Sequence, residues 1–242
     1  MSLTAALKHS RTRNPEKPAI VFGQQSLTYA EFDGLTNSVA GNLLAAGLEP
    51  GDRIALHLLN GLELAIAYFG CLKARGIVVP INPQLKGPEI DYILRHSGSA
   101  CYIGQPDLYT EAAKSCPAMT ALEVRYLTGS RPGSSTSSFD SLLRSTAGSV
   151  RIPEIVPDQV AAILYTSGTT TRPKGVMHSH ESLMQTARTM HDMRLDQDQV
   201  AVVISSMTHM VGFAMVFLSG LLNGATVVIT RPFDFRGVLE AY

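Results

Sequence analysis

The 242 residues carry 20 Lys plus Arg against 20 Asp plus Glu, with 45% hydrophobic and 17% charged residues. This composition excludes disordered, collagen-like and other fibrous classes, and it can fill the core of one large α/β domain or two smaller ones. A formal net charge of zero supplies no long-range field for polyanions, which argues against nucleic acid or anionic membrane as partners and leaves a local anion site open.

From the N-terminus, Met1 to Ser10 holds no apolar run of signal-peptide length ahead of Arg11, Arg13 and Lys17, so secretion is not expected. Short β-branched runs predict strands at Ala19 to Phe22, Arg53 to Leu58, Ile77 to Ile81, Ala100 to Ile103, Glu123 to Leu127, Ala161 to Tyr165, Ala201 to Ile204 and Thr226 to Ile229. Helical patterns lie between several of them. The clearest is Tyr29 to Ala46: Thr28 and Glu31 form a capping box, Phe32, Leu35, Val39 and Leu43 line one face, and Gly47 supplies the stop. Others run from Leu62 to Ala74, Pro88 to His96 with Gly98 just beyond, Glu181 to His191, and Val211 to Leu222. The alternation predicts an α/β fold with helices packed on mostly parallel sheets, and there is no internal repeat.

The three cysteines, Cys71, Cys101 and Cys116, form no CxxC pair and read as reduced thiols of a cytoplasmic protein. Arg131 to Ser138 is the one low-complexity stretch and reads as a mobile surface loop. Val211 to Ile229 is uncharged over 19 residues, close to the length of a bilayer span. Gly212, Ser219, Gly220, Asn223 and Gly224 interrupt it, and Asn223-Gly224 is a turn signal, so a helix, a turn and a strand are expected in place of a transmembrane segment. Phe235 to Tyr242 begins a helical pattern and stops without a cap, as an excised piece would.

Chemistry concentrates in Tyr165-Thr-Ser-Gly-Thr-Thr-Thr-Arg-Pro-Lys-Gly-Val176. The apolar run Val160 to Leu164 leads into the hydroxyls of Thr166, Ser167, Thr169, Thr170 and Thr171, with Gly168 among them, and then into the cations Arg172 and Lys174. Backbone amides freed by glycine, hydroxyl donors and a lysine together make a cradle for phosphate oxygens. The loop is not a Walker A motif: Pro173 stands where its second glycine would fall, and Gly175 follows the lysine in place of Ser or Thr. A solvated Thr/Ser-rich turn is the plain alternative. His178 and His180 resemble a metal pair but have no third ligand nearby in sequence, and a helix start capped by Ser179 accounts for them better. Met207, Met210 and Met215 fit an acyl tunnel or an apolar core equally well.

The segment Tyr165 to Val176 closely resembles the phosphate loop of the adenylate-forming superfamily, which reads YTSGTTGxPKGV, and departs from it only at Thr171, where the family has glycine. That superfamily contains acyl-CoA synthetases, aryl-CoA ligases, luciferases and the adenylation domains of peptide synthetases. Leu27-Thr-Tyr-Ala-Glu-Phe32 is similar to its LTYxEL element, and Leu72-Lys-Ala-Arg-Gly-Ile-Val-Val-Pro-Ile-Asn-Pro83 to its LKAGAxxVPLNP element. Ser206-Met-Thr-His-Met-Val-Gly212 resembles the PxFHxxG segment of the acyl pocket, so the resemblance covers essentially the whole chain. Two departures stand out. Arg75 replaces a family glycine, with adjacent Gly76 expected to serve the turn, and Thr171, being β-branched, resists positive φ and stiffens the loop.

The resemblance implies the incomplete N-terminal domain of an acyl-CoA synthetase-like fold, with residues 1–242 as the first portion of the large AMP-binding domain and the C-terminal lid domain absent. It implies a ligase that activates a fatty or aryl acid as acyl-adenylate with Mg2+ and ATP, then transfers it to CoA. By matching positions, Thr166 would help hold Mg2+ and phosphate, Ser167, Gly168, Thr169 and Thr170, with Thr171 in the same loop, would cradle the phosphates, Lys174 would balance their charge, and His209 would sit near the reacting carboxylate. Without the resemblance His209 reads as a cap or a satisfied core residue more readily than as a functional group. The elements that bind adenine and ribose, supply a glutamate for Mg2+ and carry the catalytic lysine have no counterpart here, so the chain alone is expected to be inactive. Expected partners are a small carboxylic acid, ATP and CoA, with a homodimer left open. Two other readings remain: an amino-acid adenylation domain, against which Thr208-His209-Met210 stands where such domains carry an aspartate, and a non-catalytic nucleotide-binding module.

Overall fold

The computed structural model describes residues 1–129, 136–145, 154–166, 172–191 and 198–232. In chain order the first elements are α1 (Leu3–Arg13), β1 (Pro18–Phe22), β2 (Gln25–Thr28), α2 (Tyr29–Ala45), β3 (Arg53–His57), α3 (Leu62–Lys73), β4 (Ile77–Pro80), α4 (Gly87–Ser97), β5 (Ser99–Gly104), α5 (Pro106–Ala113) and α6 (Pro117–Ala121). There follow β6 (Val124–Leu127), β7 (Ser137–Ser138), α7 (Asp140–Leu143), β8 (Val160–Thr166), β9 (Lys174–Ser179), α8 (His180–His191), β10 (Val200–Val203), a π-helix (Val211–Leu218), α9 (Ser219–Leu222) and β11 (Thr226–Ile229).

These strands form two sheets, one in the order β10-β11-β1-β2 and one in the order β7-β6-β5-β3-β4-β8-β9. Each is parallel except for one antiparallel edge strand, β2 or β9. Side chains alternate across the larger sheet as strand geometry requires. Ile54, Leu56, Val78, Cys101, Ile103, Ala162 and Leu164 join one core with α1, α2, α3, α8, the π-helix and the smaller sheet. Ala55, Val79, Ile81, Tyr102, Ile163 and Tyr165 face a second core with α4, α5 and α6. The larger sheet is therefore covered on both faces, which is why its strands read as unbroken apolar runs.

Helices α2 and α3 pack closely in the first core. A Cβ on Gly70 would lie 2.3 Å from Val39 Cγ1, and Phe32 meets Phe69 edge-on at 5.6 Å between ring centroids. At the end of the same seam Lys73 Nζ donates to Asp33 Oδ1 at 2.6 Å, to the Asp33 carbonyl at 3.1 Å and to Asn37 Oδ1 at 2.6 Å. Burial lowers the Lys73 pKa, and the neighbouring Asp33 carboxylate opposes that shift. Losing Asp33 would leave a buried cation without its partner, which costs far more than the intact pair contributes.

All the predicted strands and helices form, with ends shifted by a residue or two. Val211 to Ile229 is helix, turn and strand as expected, although its first part winds as a π-helix, and among the described residues no helix is long and apolar enough to cross a membrane. Within the low-complexity stretch Ser137 and Ser138 pair with β6 as an edge strand, while residues 131–135 lie outside the described residues, as do 233–242. Elements with weak patterns are additions: α1, β2, β7, β9 and the short helices α5, α6 and α7.

One expectation is corrected. The left-handed residue after α3 is Arg75 itself, at φ 61°, and not Gly76. Arg75 N donates to the Leu72 carbonyl at 3.0 Å and Gly76 N to the Cys71 carbonyl at 2.9 Å, the paired bonds of a Schellman ending. Helix α2 ends the same way with glycine at that position, Gly47, at φ 89°. Gly76 serves a different need: a Cβ there would sit 2.5 Å from Ile54 Cδ1 and 3.1 Å from the Cys71 carbonyl. Arg75 also buries Nε without a hydrogen-bond partner. Arg75→Gly is therefore expected to raise the unfolding free energy by about 1 kcal/mol, and Gly76→Ala to lower it by about 1–3 kcal/mol. Urea titrations of the two variants check both signs, and a destabilised Arg75→Gly would contradict the strain assigned to that residue.

Candidate functional site

Helix α3 follows β3 into the first core, whereas α4 follows β4 into the second, so the chain leaves the carboxyl ends of two adjacent parallel strands in opposite directions. A crevice opens where such connections diverge. On the far side of β4 lies β8, in parallel register with Val78 opposite Ala162. Continuing that register brings Asn82, just past the end of β4, level with Thr166 at the end of β8.

Strand β9 returns antiparallel along the other edge of β8, and the last pair of this hairpin is Thr166 opposite Lys174. Directly opposed residues project to the same face. By alternation from Ala162 and Leu164, that face is the one turned toward the first core, and both Thr166 and Lys174 are exposed. A hydroxyl and an ammonium thus stand side by side where the hydroxyl-rich loop begins and ends. Ser167, Gly168, Thr169, Thr170 and Thr171 lie outside the described residues.

The opposite face of the hairpin is closely packed. A Cβ on Gly175 would lie 2.8 Å from Ile163 Cγ2 and 3.1 Å from Tyr165 Cζ, so glycine leaves room for the tyrosine ring. Tyr165 OH meets His96 Nδ1 at 2.8 Å, and burial pushes the Tyr165 pKa up to about 12, so the phenol is neutral. Strand β9 was not expected from sequence, because Lys174, Gly175 and His178 are poor strand formers and the pairing with β8 decides the outcome.

The segment before the π-helix reaches the end of β4, where His209 meets Asn82. Asn60 is 6% exposed and holds it with both ends of its amide: Nδ2 donates to the Ser205 carbonyl at 2.9 Å and the Thr230 carbonyl at 3.2 Å, and Oδ1 accepts from Met207 N at 2.9 Å. Tyr68 OH donates to the Met207 carbonyl at 2.6 Å, and its ring stacks on Phe213 at 4.2 Å. Gly212 permits the turn, since a Cβ would lie 2.3 Å from the Ser206 carbonyl oxygen. Held in this way, His209 is exposed and its Nε2 is 3.4 Å from Asn82 Nδ2. Asn82 Oδ1 is engaged by Gln84 N at 3.0 Å, which turns the amide nitrogen toward the imidazole.

The site residues inferred from sequence therefore meet in part. Thr166 and Lys174 are cross-strand neighbours, and His209 reaches the same strand ends through Asn82. Met207 is fully buried core, Met210 is half-buried against the first core, and Met215 is half-buried. Ser179 Oγ accepts from Ser182 N at 3.1 Å, which supports its role as a helix cap. Asn60, Tyr68 and Asn82 escaped the sequence reading. An asparagine just after an apolar strand, present in both Leu58-Leu-Asn60 and Ile81-Asn82, was the available signal.

A family profile described as AMP-binding enzyme matches residues 7–241. The chain belongs to this family. It is 32% identical over 236 residues to the feruloyl-CoA synthase of an Amycolatopsis species, covering 94% of this chain and 44% of that protein. Surfactin synthase subunit 3 of Bacillus subtilis is 28% identical over 227 residues, covering 94% of this chain and 17% of that protein. Among solved structures, a Mycobacterium tuberculosis fatty acyl CoA synthetase superposes with a TM-score of 0.80 at 28% identity, over 99% of this chain and 46% of that one. The chain thus spans less than half the length of these relatives, and its mixed α/β architecture is that of acyl-CoA ligase N-terminal domains.

Two histidines near the strand ends are buried neutral. His57, 1% exposed, contacts Tyr102 OH through Nδ1 at 2.9 Å and buries Nε2 without a partner, and His180, 2% exposed, buries Nδ1 in the same way. Burial lowers both pKa values to about 4. These folded values lie below that of an unfolded histidine, so the unfolded chain binds protons first as pH falls. The stability of the neutral forms is complete above about pH 6.5 and drains away between there and about pH 4. Urea unfolding is expected to lose about 1.5 kcal/mol per histidine between pH 6.5 and pH 5. His57→Gln should remove one proton's worth of that slope, and an unchanged slope would contradict the assignment.

Proposed function

We propose that the complete protein is an adenylate-forming acid–thiol ligase: it activates a fatty or aryl carboxylic acid with ATP and passes the acyl group to CoA. One observation carries this reading. The hydroxyl of Thr166 and the ammonium of Lys174 face each other at the mouth of the hydroxyl-rich hairpin, on the sheet face from which His209 is approached through Asn82. Phosphate is matched by the first pair and a carboxylate by the second. Residues 1–242 then form the first portion of a larger AMP-binding domain, in keeping with the 44% of the feruloyl-CoA synthase that the chain covers.

In this reading the triphosphate lies along the hairpin mouth, with the Lys174 ammonium beside the β and γ phosphates and the Thr166 hydroxyl against phosphate oxygen. His209 and Asn82 orient the carboxylate toward the α phosphorus, where it displaces pyrophosphate. The protein's contribution is alignment and charge neutralisation, with little covalent help. The donor set also fits magnesium, a hard cation that prefers oxygen and usually binds through one or two protein groups plus phosphates. Thr166 offers one such oxygen, and among the described residues no three His, Cys, Asp or Glu side chains converge to hold a metal without the nucleotide. When bound, the ion would supply charge neutralisation on the pyrophosphate.

Pyrophosphate release from ATP with a library of fatty and aryl acids tests the proposal. The complete protein is expected to respond to a subset of these acids, and the isolated 242-residue chain to none. Lys174→Ala should lower adenylation by about 2 kcal/mol, roughly 30-fold. A complete protein inert toward every acid, or a Lys174→Ala variant equal to wild type, would overturn the reading.

A further inference from the structure

The face of the hairpin turned away from the proposed nucleotide carries its own set of contacts, all reaching one helix. Tyr92 and His96 stand one turn apart on α4, stacked at 5.2 Å between ring centroids. His96 Nδ1 lies 2.8 Å from the Tyr165 hydroxyl, and the two rings meet edge-on at 5.8 Å. Tyr92 OH donates to the Pro173 carbonyl at 3.2 Å, and the Arg172 guanidinium sits 5.7 Å from the centre of the Tyr92 ring. Tyr165 immediately precedes Thr166, and Pro173 immediately precedes Lys174. One helical face therefore holds both strands of the hairpin one residue behind the pair assigned to phosphate.

We propose that Tyr92 and His96 are positioning residues that clamp both stems of the phosphate loop from behind, fixing the separation and aim of Thr166 and Lys174. The inference rests on the nucleotide reading of that loop for its functional half, while the clamp itself stands on geometry alone. Residues i and i+4 on a helix present a single rigid surface, so two stems anchored to it cannot move apart independently. The contacts are complementary in kind. On the incoming stem a neutral phenol meets imidazole, and on the outgoing stem a phenol hydroxyl meets a carbonyl while a cation lies against the ring face. Pro173 reinforces the second contact, because its fixed φ and lack of an N–H leave the carbonyl as the group by which that residue is held. Among the described residues β9 is the edge of its sheet, bonded to a strand on one side, and the α4 contacts restrain this hairpin from its face.

Limited trypsin digestion of the complete protein reads the clamp without reference to catalysis. Cleavage after Arg172 is blocked by Pro173, whereas the bond from Lys174 to Gly175 is open to cleavage once the stem detaches from its neighbours. Tyr92→Leu and His96→Leu are each expected to speed cleavage after Lys174 about 5-fold or more, the factor for a contact of ordinary hydrogen-bond strength. The thermal midpoint should stay within a degree or two. Tyr92→Phe keeps the ring under Arg172 and loses only the hydroxyl, so it should fall between Tyr92→Leu and wild type. In pyrophosphate-release kinetics the same variants should raise the KM for ATP about 5-fold and leave the KM for the carboxylate unchanged. Unaltered cleavage in both leucine variants overturns the clamp, and faster cleavage with an unaltered ATP KM overturns its positioning role. If wild type itself releases no pyrophosphate, the nucleotide reading fails, while the proteolysis still decides whether α4 holds the stems.

Discussion

Strand β8 is bonded on both edges, in parallel to β4 and antiparallel to β9, and this double pairing governs the rest of the site. The parallel edge fixes how far β8 extends relative to β4, so that Asn82 and the strand end at Thr166 come level. The antiparallel edge fixes Lys174 against Thr166. A slip of one residue in the second pairing would send Lys174 to the α4 side of the sheet and bring Gly175 out of reach of the Tyr165 ring. Register in this hairpin is therefore chemical information, and it is pinned by packing at Gly175 on one face, with Thr166 and Lys174 exposed on the other.

Rigidity comes from the neighbouring layers. The α2–α3 seam, tightened by Gly70 against Val39 and closed by Lys73 on Asp33, fixes the helix that carries Tyr68. Tyr68 and Asn60 in turn grip the backbone of residues 205–207, so the position of His209 is set by groups buried far from solvent. Each link is a satisfied buried polar group, and such groups penalise any arrangement in which they lose their partners. The close approach at Gly212 completes the arrangement, because any side chain there would push the π-helix away from Ser206.

Much of this was legible in the sequence, for physical reasons that differ by element. Strands β3, β4, β5 and β8 are buried on both faces and declare themselves as apolar runs, and α2 announces its start with Thr28 and Glu31 and its end with Gly47. The segment from Thr166 to Lys174 stood out because hydroxyls, glycine and lysine cluster there more densely than a surface turn needs. Strand β9 was hidden, since Lys174, Gly175, His178 and Ser179 outweigh the strand preference of Val176 and the pairing with β8 draws the segment into the sheet. The left-handed residue after α3 was placed on the glycine, where propensity puts it, but the hydrogen-bond count from Cys71 and Leu72 puts it on Arg75. Asn60 and Asn82 carried only a weak signal, because a single asparagine after an apolar strand does not say what its amide will bind. Their partners, Ser205, Met207 and His209, are more than a hundred residues away in sequence.

Lysine acylation footprinting with and without Mg2+ and ATP addresses most directly the claim that the hairpin mouth is the polyphosphate site. Lys174 is exposed and should react with a neutral acylating reagent at an ordinary rate in the free protein. With nucleotide at about ten times its dissociation constant, modification of Lys174 is expected to fall about tenfold by mass action, while Lys8 and Lys114 remain unchanged. Undiminished reaction at Lys174, with protection appearing instead at Lys8 in the polar groove beside Arg11 and Lys73, would place the nucleotide elsewhere and contradict the account.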